Sequence, residues 1–565
     1  MIRSTSFFVG LLSLAVLVSG QSSSAPSTTD PTAQTPATVH ASSQESSQQS
    51  TAPPTPLFHI DTRLVVLDVV AIDHDGEPVR GLDRDAFQVL EDGKPQQLRM
   101  FEEHVPAVQP AVLPEIRLPD HEYTNFPKQA NSSAVNIVLF DILNTPLNDQ
   151  LYARAQMVEF LKTLPRGQRT ALFTLGNDLR MIAGFTTGTD ELVAAANTVK
   201  PNASSYLDTI EERQASDQQI STLTAGPSPS QGAGAPGFGQ MMQDFAHQTA
   251  RVRLANREQR TFEALGQLAR AVSGYPGRKN LLWLSEAFPT LISAPVGSSP
   301  DFARSYLELL QKSSGLLASS QISVYPIDVR GLSVRGGREV TGSQATMQDI
   351  AQQTGGEAFY NSNDLKGALK RSIEHGSTYY TLAYVPENKK WDGRFRHVTV
   401  KVNRGDLSLH YRRGYAAVKD DPSVTEAAHQ TLVAEMQPGV PESTMLLLRA
   451  QIVPDDKTGK VQIDCAVFAP DISFSGDRLH HAKLEWVVVA WDKDNKPAAN
   501  TSETMELDLQ PSTYESMQKN GISAKQEVTL KPGAYHLRVG VMDYTTSKIG
   551  TLEVPVRINA MTASR

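Results

Sequence analysis

The chain has 565 residues, and 53 Lys and Arg against 61 Asp and Glu give a formal net charge of -8, which argues against the basic stripe of a nucleic-acid binder. The 40% share of hydrophobic residues allows each domain a real core, and the length predicts several domains rather than one. Cys465 is the single cysteine, which excludes an internal disulfide.

Residues 1–20 read as a signal peptide: Arg3 supplies the positive end, residues 7–18 are apolar but short for a bilayer span, and Val18-Ser19-Gly20 offers small residues before a cut near Gln21. No cysteine follows, so no lipid anchor is expected, and the mature chain is read as exported, periplasmic or secreted, without a membrane span. Residues 21–56 are rich in Ser, Thr, Pro and Gln and are expected to be a disordered tether. From 57 to 110 the pattern turns to β. Leu64-Val65-Val66-Leu67 leads into the turn Asp73-His74-Asp75-Gly76, and a small β-sandwich-like domain is expected. A Pro-rich extended connector follows at 106–131.

At 132–378 apolar strands alternate with helical spacing, the pattern of an α/β unit. Ile137-Val138-Leu139-Phe140 has no polar alternation, which predicts a strand buried on both faces. Further strands are expected at 170–175, 179–185 (pairing with it as a hairpin), 280–285, 322–328 and 357–360, with helices at 151–164, 190–199, 251–272, 302–319, 347–354 and 365–375. Residues 204–250 interrupt the pattern, and their Gly/Pro/Ser-rich centre predicts a mobile insertion. Residues 379–417 read as a β extension in which 394–402 and 407–411 pair across Arg404-Gly405-Asp406. A polar linker near 419–422 and a short helix at 424–435 precede a β region. Seven strands over 440–565 then fit an immunoglobulin-like β-sandwich. Its turn Asp492-Lys493-Asp494-Asn495 echoes the one at Asp73; all four aspartates, at 73, 75, 492 and 494, are read as turn formers before Ca²⁺ ligands.

Asp141 ends the first buried strand, at the carboxyl edge where open α/β sheets bind ligands. The stretch Asn136-Ile137-Val138-Leu139-Phe140-Asp141-Ile142-Leu143-Asn144-Thr145 resembles the von Willebrand factor A-related domain proteins named after Acidobacteria. So do Gly277-Arg278-Lys279-Asn280-Leu281-Leu282-Trp283-Leu284-Ser285, Trp391-Asp392-Gly393-Arg394 and Arg413-Gly414-Tyr415. The resemblance spans about 57–417. It implies a von Willebrand A fold, Rossmann-like, with a mostly parallel sheet, flanking helices and a divalent-ion site at the carboxyl edge.

Against that family's Asp-x-Ser-x-Ser pattern, Asp141 matches the acid, Leu143 replaces the first Ser and Thr145 matches the second. Asn144 offers an amide oxygen, Ser204 or Ser205 stands where the later Thr belongs, and Glu286 replaces the usual Asp after the fourth strand. The resemblance therefore implies a degenerate, weak Mg²⁺ or Mn²⁺ site of Asp141, Thr145, Ser204 or Ser205, and Glu286, completed by a partner's carboxylate. On this view Asp141→Ala abolishes ion-dependent binding and leaves the fold intact, while Leu143→Ser tightens the ion. The same residues also fit an ion-free loop or helix cap. No His-Glu-x-x-His, Gly-x-Ser-x-Gly or phosphate-binding Gly-x-x-x-x-Gly-Lys motif occurs, and no enzyme is expected. The expected function is an exported protein-interaction or adhesion-type module for a protein or surface polymer. The alternatives are a structural envelope scaffold and an unrecognised hydrolase.

Overall fold

The computed structural model describes residues 64–106, 118–127, 134–165, 167–204, 206, 218, 238–286, 288, 313–332, 338–417, 425–476 and 479–560. The signal-like segment, the tether, most of the 204–250 insertion and the 419–422 linker lie outside the described residues.

The first strands are β1 (Val65–Ile72), β2 (Phe87–Glu91), β3 (Lys94–Gln96), β4 (Leu98–His104) and β5 (Glu122–Thr124). The α/β segment holds β6 (Val135–Asp141), α1 (Leu147–Leu161), β7 (Thr170–Leu175), β8 (Leu179–Thr186), α2 (Thr189–Thr198), α3 (Phe238–Val272), β9 (Lys279–Ser285), β10 (Ile322–Asp328), α4 (Arg338–Thr354) and α5 (Leu365–Ser377). Next come β11 (Tyr379–Tyr384), β12 (Phe395–Val402), β13 (Ser408–His410), β14 (Gly414–Ala416) and α6 (Thr425–Glu435). The last region runs β15 (Leu448–Asp455), β16 (Lys460–Val467), β17 (His480–Asp492), β18 (Pro497–Leu509), α7 (Pro511–Asn520), β19 (Ile522–Thr529), β20 (Gly533–Asp543) and β21 (Lys548–Ile558).

Every residue of β6 is buried, because the strand sits mid-sheet with helices on both faces. The sheet order is β10-β9-β6-β7-β8; the first four strands are parallel, and β8 closes the edge antiparallel to β7. The period of two divides the strand between two layers. Ile137 and Leu139 pack with Phe262, Leu265 and Leu268 of α3 and Met347 of α4. Val138 and Phe140 pack with Met157 and Phe160 of α1, Leu192 of α2 and Leu369 of α5. The chain leaves β6 on one side through β7 and β8 and returns on the other through β9 and β10. The carboxyl ends of β6 and β9 therefore flank the sheet's topological switch point.

Two helices begin earlier than their apolar spacing predicts: α3 at Phe238 rather than 251, and α4 at Arg338 rather than 347. The first half of α3 leaves Met241, Phe245 and Val252 exposed, and none of its described side chains is buried, so those side chains write no core-facing period into the sequence. The strand expected at 357–360 is a single bridge from Phe359 to Ile327.

The segments 57–110 and 379–417, expected as a separate domain and an extension, form one sandwich. One sheet has the order β13-β1-β11-β4 and the other β14-β12-β2-β3. Leu67, Val69, Phe87, Val89, Tyr380, Leu382 and Val400 fill the space between them. The α/β segment is thus inserted between β4 and β11, which pair antiparallel with each other. The expected hairpin across Arg404-Gly405-Asp406 does not form: β13 pairs with β1, and β12 pairs with β2 and β14. Crossing over lets Leu407, Leu409 and Tyr411 reach the shared core. The two similar turns use the same bonds. Asp73 Oδ1 accepts from the Asp75 and Glu77 amides, and Asp492 Oδ1 from those of Asp494 and Lys496.

His375 of α5 joins the sandwich to the α/β segment. Its Nδ1 lies 2.8 Å from Glu357 Oε2 and its Nε2 2.9 Å from the Gly76 carbonyl. Both neighbours are acceptors, so only the doubly protonated ring donates to both. Burial opposes that charge, but the bond to Glu357, its charge and the Gly76 carbonyl raise the His375 pKa above its ordinary value. Arg371 and His410 also face this group, and burial lowers the His410 pKa. A raised histidine pKa stabilises the fold fully below the ordinary imidazole value, and the gain is lost as pH rises through the raised one. We expect the wild type to exceed His375→Gln in stability by about 2 kcal/mol at pH 5.5. The gap should narrow by pH 9; a pH-independent gap in thermal melts would refute the clamp.

The C-terminal region is a second sandwich, with sheets β19-β16-β15-β5 and β18-β17-β20-β21 around Leu448, Ile463, Trp486, Val488, Val539 and Val554. Its edge strand β5 comes from the expected connector and pairs with β15. Asn125 fixes that segment by donating to the Ser443 and Leu446 carbonyls and accepting from the Leu448 amide. Helix α6 and the residue after it belong to the same body: Trp491 Nε1 donates to the Met436 carbonyl, and Arg538 Nε to that of Glu435. A fragment starting at Glu442 lacks both supports. It should melt below a 425–565 fragment in circular dichroism, and equal midpoints would show that α6 contributes nothing. Among the described residues no helix is long and apolar enough to cross a membrane.

Candidate functional site

Asp141 faces the α3 side of the sheet, in register with Ile137 and Leu139, and is wholly buried. Its Oδ1 accepts from the Asn144 amide at 3.0 Å. Its Oδ2 accepts from Asn144 Nδ2 at 2.8 Å, Trp283 Nε1 at 3.0 Å and Ser285 Oγ at 2.9 Å. Trp283 and Ser285 are two residues apart on β9 and so project to one face beside β6. Asn144 Nδ2 also donates to Thr261 Oγ1 of α3 at 2.9 Å. Burial raises the Asp141 pKa, and the four donors work against that rise.

A second knot holds the neighbouring loops. Gln150, buried on α1, donates to the Thr145 carbonyl at 2.7 Å and to the Asn202 carbonyl at 2.9 Å, and accepts from the Asn202 amide. Thr145 Oγ1 accepts from the Glu286 amide at 3.3 Å. Asp141, Thr145 and Glu286 therefore share one sheet edge, as the sequence predicts. The Glu286 carboxyl, however, faces Asp149 of α1, near Arg330 and Asp328. Burial and the Asp149 carboxyl beside it raise the Glu286 pKa. Arg330 is committed to Asp328, with its Nε 2.9 Å from Oδ1 and an NH2 nitrogen 2.6 Å from Oδ2.

These residues do not fit a divalent ion. Mg²⁺ needs oxygens converging from several sides in near-octahedral geometry. Asp141 spends its oxygens on four protein donors, and Asn144 turns its N–H, not its carbonyl oxygen, toward it. Leu143 is buried in the apolar layer under α3. Ser204 Oγ accepts from the Tyr206 amide, and Ser205 lies outside the described residues. Among the described residues no group of three or more His, Cys, Asp or Glu is placed to hold a metal. Among the described residues, the expected Mg²⁺ or Mn²⁺ shell of Asp141, Thr145, Ser204 and Glu286 is thus not assembled. Asp141 does serve as a loop cap. It does not cap α1, whose N-cap is Pro146 without a side-chain bond.

Trp283, Ser285, Thr261, Gln150, Asp149 and Arg330 were not among the expected site residues. The signal for the first two was their spacing of two on a strand next to Asp141. For Gln150 it was an amide on the inward stripe of an otherwise apolar helix face, shared with Ala153 and Met157.

No family model and no curated protein matches the chain. Solved structures similar to it include an aerotolerance-related membrane protein from Bacteroides fragilis, at 13% identity, with 42% of this chain and 98% of that one covered and a TM-score of 0.22. A von Willebrand factor type A structure from Catenulispora acidiphila is 10% identical, with 54% and 72% covered and a TM-score of 0.24. A proximal thread matrix protein from the mussel byssus, with a zinc-occupied MIDAS motif, is 10% identical, with 47% and 50% covered and a TM-score of 0.23. Scores this low carry no argument, and the α/β assignment rests on the strand order and the two helical layers.

Proposed function

We propose that the chain is an exported, non-catalytic interaction or adhesion-type module whose α/β segment is of von Willebrand A type, with the ion position replaced by internal hydrogen bonds. The observation that carries this reading is the switch-point edge. Its loops are fixed from within by Asp141 and Gln150, which gives a rigid platform for surface residues rather than a reaction centre. The apolar run after Arg3 supports export. A protein or surface polymer is the partner class, and Mg²⁺ or Mn²⁺ is not needed to hold it.

A structural scaffold is the second reading, favoured by the same self-sufficiency of Asp141, since a closed edge requires no ligand. The two separate by capture of partners from native envelope material on immobilised protein, with and without chelator. The module reading expects a discrete partner retained in chelator. Loss of every partner in chelator would restore the ion; capture of nothing in either arm would favour the scaffold.

A further inference from the structure

Next to the Asp141 knot the sheet edge carries large apolar side chains in solvent. Leu147 is 43% exposed, Leu151 54%, Tyr152 38% and Leu332 62%. The first two lie one turn apart on α1 and so share a face. The loop after β10 is pinned to the same helix through one residue. Tyr152 Oη donates to the Asn363 carbonyl at 2.9 Å, and Asn363 Oδ1 accepts from the Leu332 amide at 2.8 Å. Leu332 is therefore held beside α1.

Among the described residues the charge at this place is out of balance. Asp149, Glu286 and Asp328 face one another with Arg330 as their cation, and that guanidinium is spent on Asp328. Glu286 Oε2 is buried and has no hydrogen-bond partner among the described residues. Two carboxyls brought together in a partly dry place share a proton or recruit a cation. A guanidinium, planar and with parallel donors, matches that need better than an ammonium.

We propose, resting on the interaction-module reading, that this edge docks a protein segment presenting an arginine flanked by apolar side chains: the guanidinium enters between Asp149 and Glu286, and the flanking residues cover Leu147, Leu151 and Leu332. The partner thus supplies a cation here, where the resemblance led us to expect an ion bridged to a partner's carboxylate. Docking takes the Glu286 carboxyl, whose pKa is pushed up to about 8 by burial and by Asp149 beside it, in its ionised form, so it releases a proton near neutral pH and tightens as pH rises. Association should weaken with salt, as charge-assisted contacts at a surface do.

The test is selection from a random 12-residue peptide library on the folded chain, followed by anisotropy with the synthesised consensus peptide. The expected consensus carries Arg between Leu, Ile or Phe. Asp149→Asn with Glu286→Gln should weaken that peptide at least tenfold, and Leu151→Asp by a similar factor, with melting midpoints unchanged. Calorimetry in two buffers of different ionisation enthalpy should show proton release. An acidic or uncharged consensus, equal binding by the variants, or no enrichment overturns the proposal. Peptides that bind the variants equally would leave the module reading standing, since that reading fails only when envelope capture yields nothing.

Discussion

Asp141→Ala is expected to destabilise the protein by about 3–5 kcal/mol, not to leave an intact fold that has lost an ion. The substitution strands the Asn144 backbone and side-chain N–H groups, the Trp283 indole N–H and the Ser285 hydroxyl around a small cavity. Each buried donor left without an acceptor costs about 1–3 kcal/mol, reduced where a hydroxyl can turn elsewhere. For a unit of this size the midpoint should fall on the order of 10 °C. Asp141→Asn keeps one acceptor oxygen and should lose less. Leu143→Ser, which would tighten an ion on the resemblance, instead opens a cavity under α3 and should cost about 2–4 kcal/mol. Added Mg²⁺ or chelator should leave the wild-type midpoint where it is, because a ligand stabilises only in proportion to its occupancy. A wild type that gains several degrees from Mg²⁺, together with an Asp141→Ala variant that melts normally, would reinstate the metal site.

The edge that holds Asp141 was legible in the sequence because a strand buried on both faces leaves an unbroken apolar run, and Ile137 to Phe140 is one. What the carboxylate does there was not. Its partners Trp283 and Ser285 lie 142 and 144 positions away, and they become neighbours only once β9 is laid parallel to β6. The resemblance supplied a ligand pattern, but the pattern does not say which way the Asp141 carboxylate points. Register turns it inward, onto the face of Ile137 and Leu139.

The β regions failed in the same way. Strand character was plain in β1 and β11, but Val65 pairs with Tyr384 across the whole α/β insertion, and no local signal encodes such a pairing. β5 is three residues in a Pro-rich stretch, too short for any period, and is a strand only because β15 offers it an edge.

Arg270→Ala should be the second large loss, because it breaks the contact that seats the C-terminal sandwich on α3. The Nε of Arg270 donates to Glu435 Oε1 at 2.8 Å, and its NH2 nitrogen lies 2.8 Å from the same oxygen. The Glu435 side chain is fully buried at the end of α6, and its other oxygen has no hydrogen-bond partner among the described residues. The backbone around the pair is as close: Thr444 Oγ1 donates to the Ala271 carbonyl, and a Cβ at Gly274 would stand 2.7 Å from the Thr444 carbonyl oxygen. Removing one partner of a buried ion pair costs about 3–5 kcal/mol, since the remaining charge keeps its desolvation penalty and loses its attraction. Burial already raises the Glu435 pKa with Arg270 in place. An acid with a raised native pKa loses stability as pH climbs from its ordinary value through the raised one. Without Arg270 that window widens upward, so the deficit of Arg270→Ala should be larger at pH 8 than at pH 5. Arg270→Met combined with Glu435→Leu removes both charges and should recover most of the loss, leaving a double-mutant coupling of at least about 2 kcal/mol. A coupling near zero, or a deficit that does not move with pH, would mean that the two side chains are solvated and that the apolar contacts alone hold the sandwich to the helix.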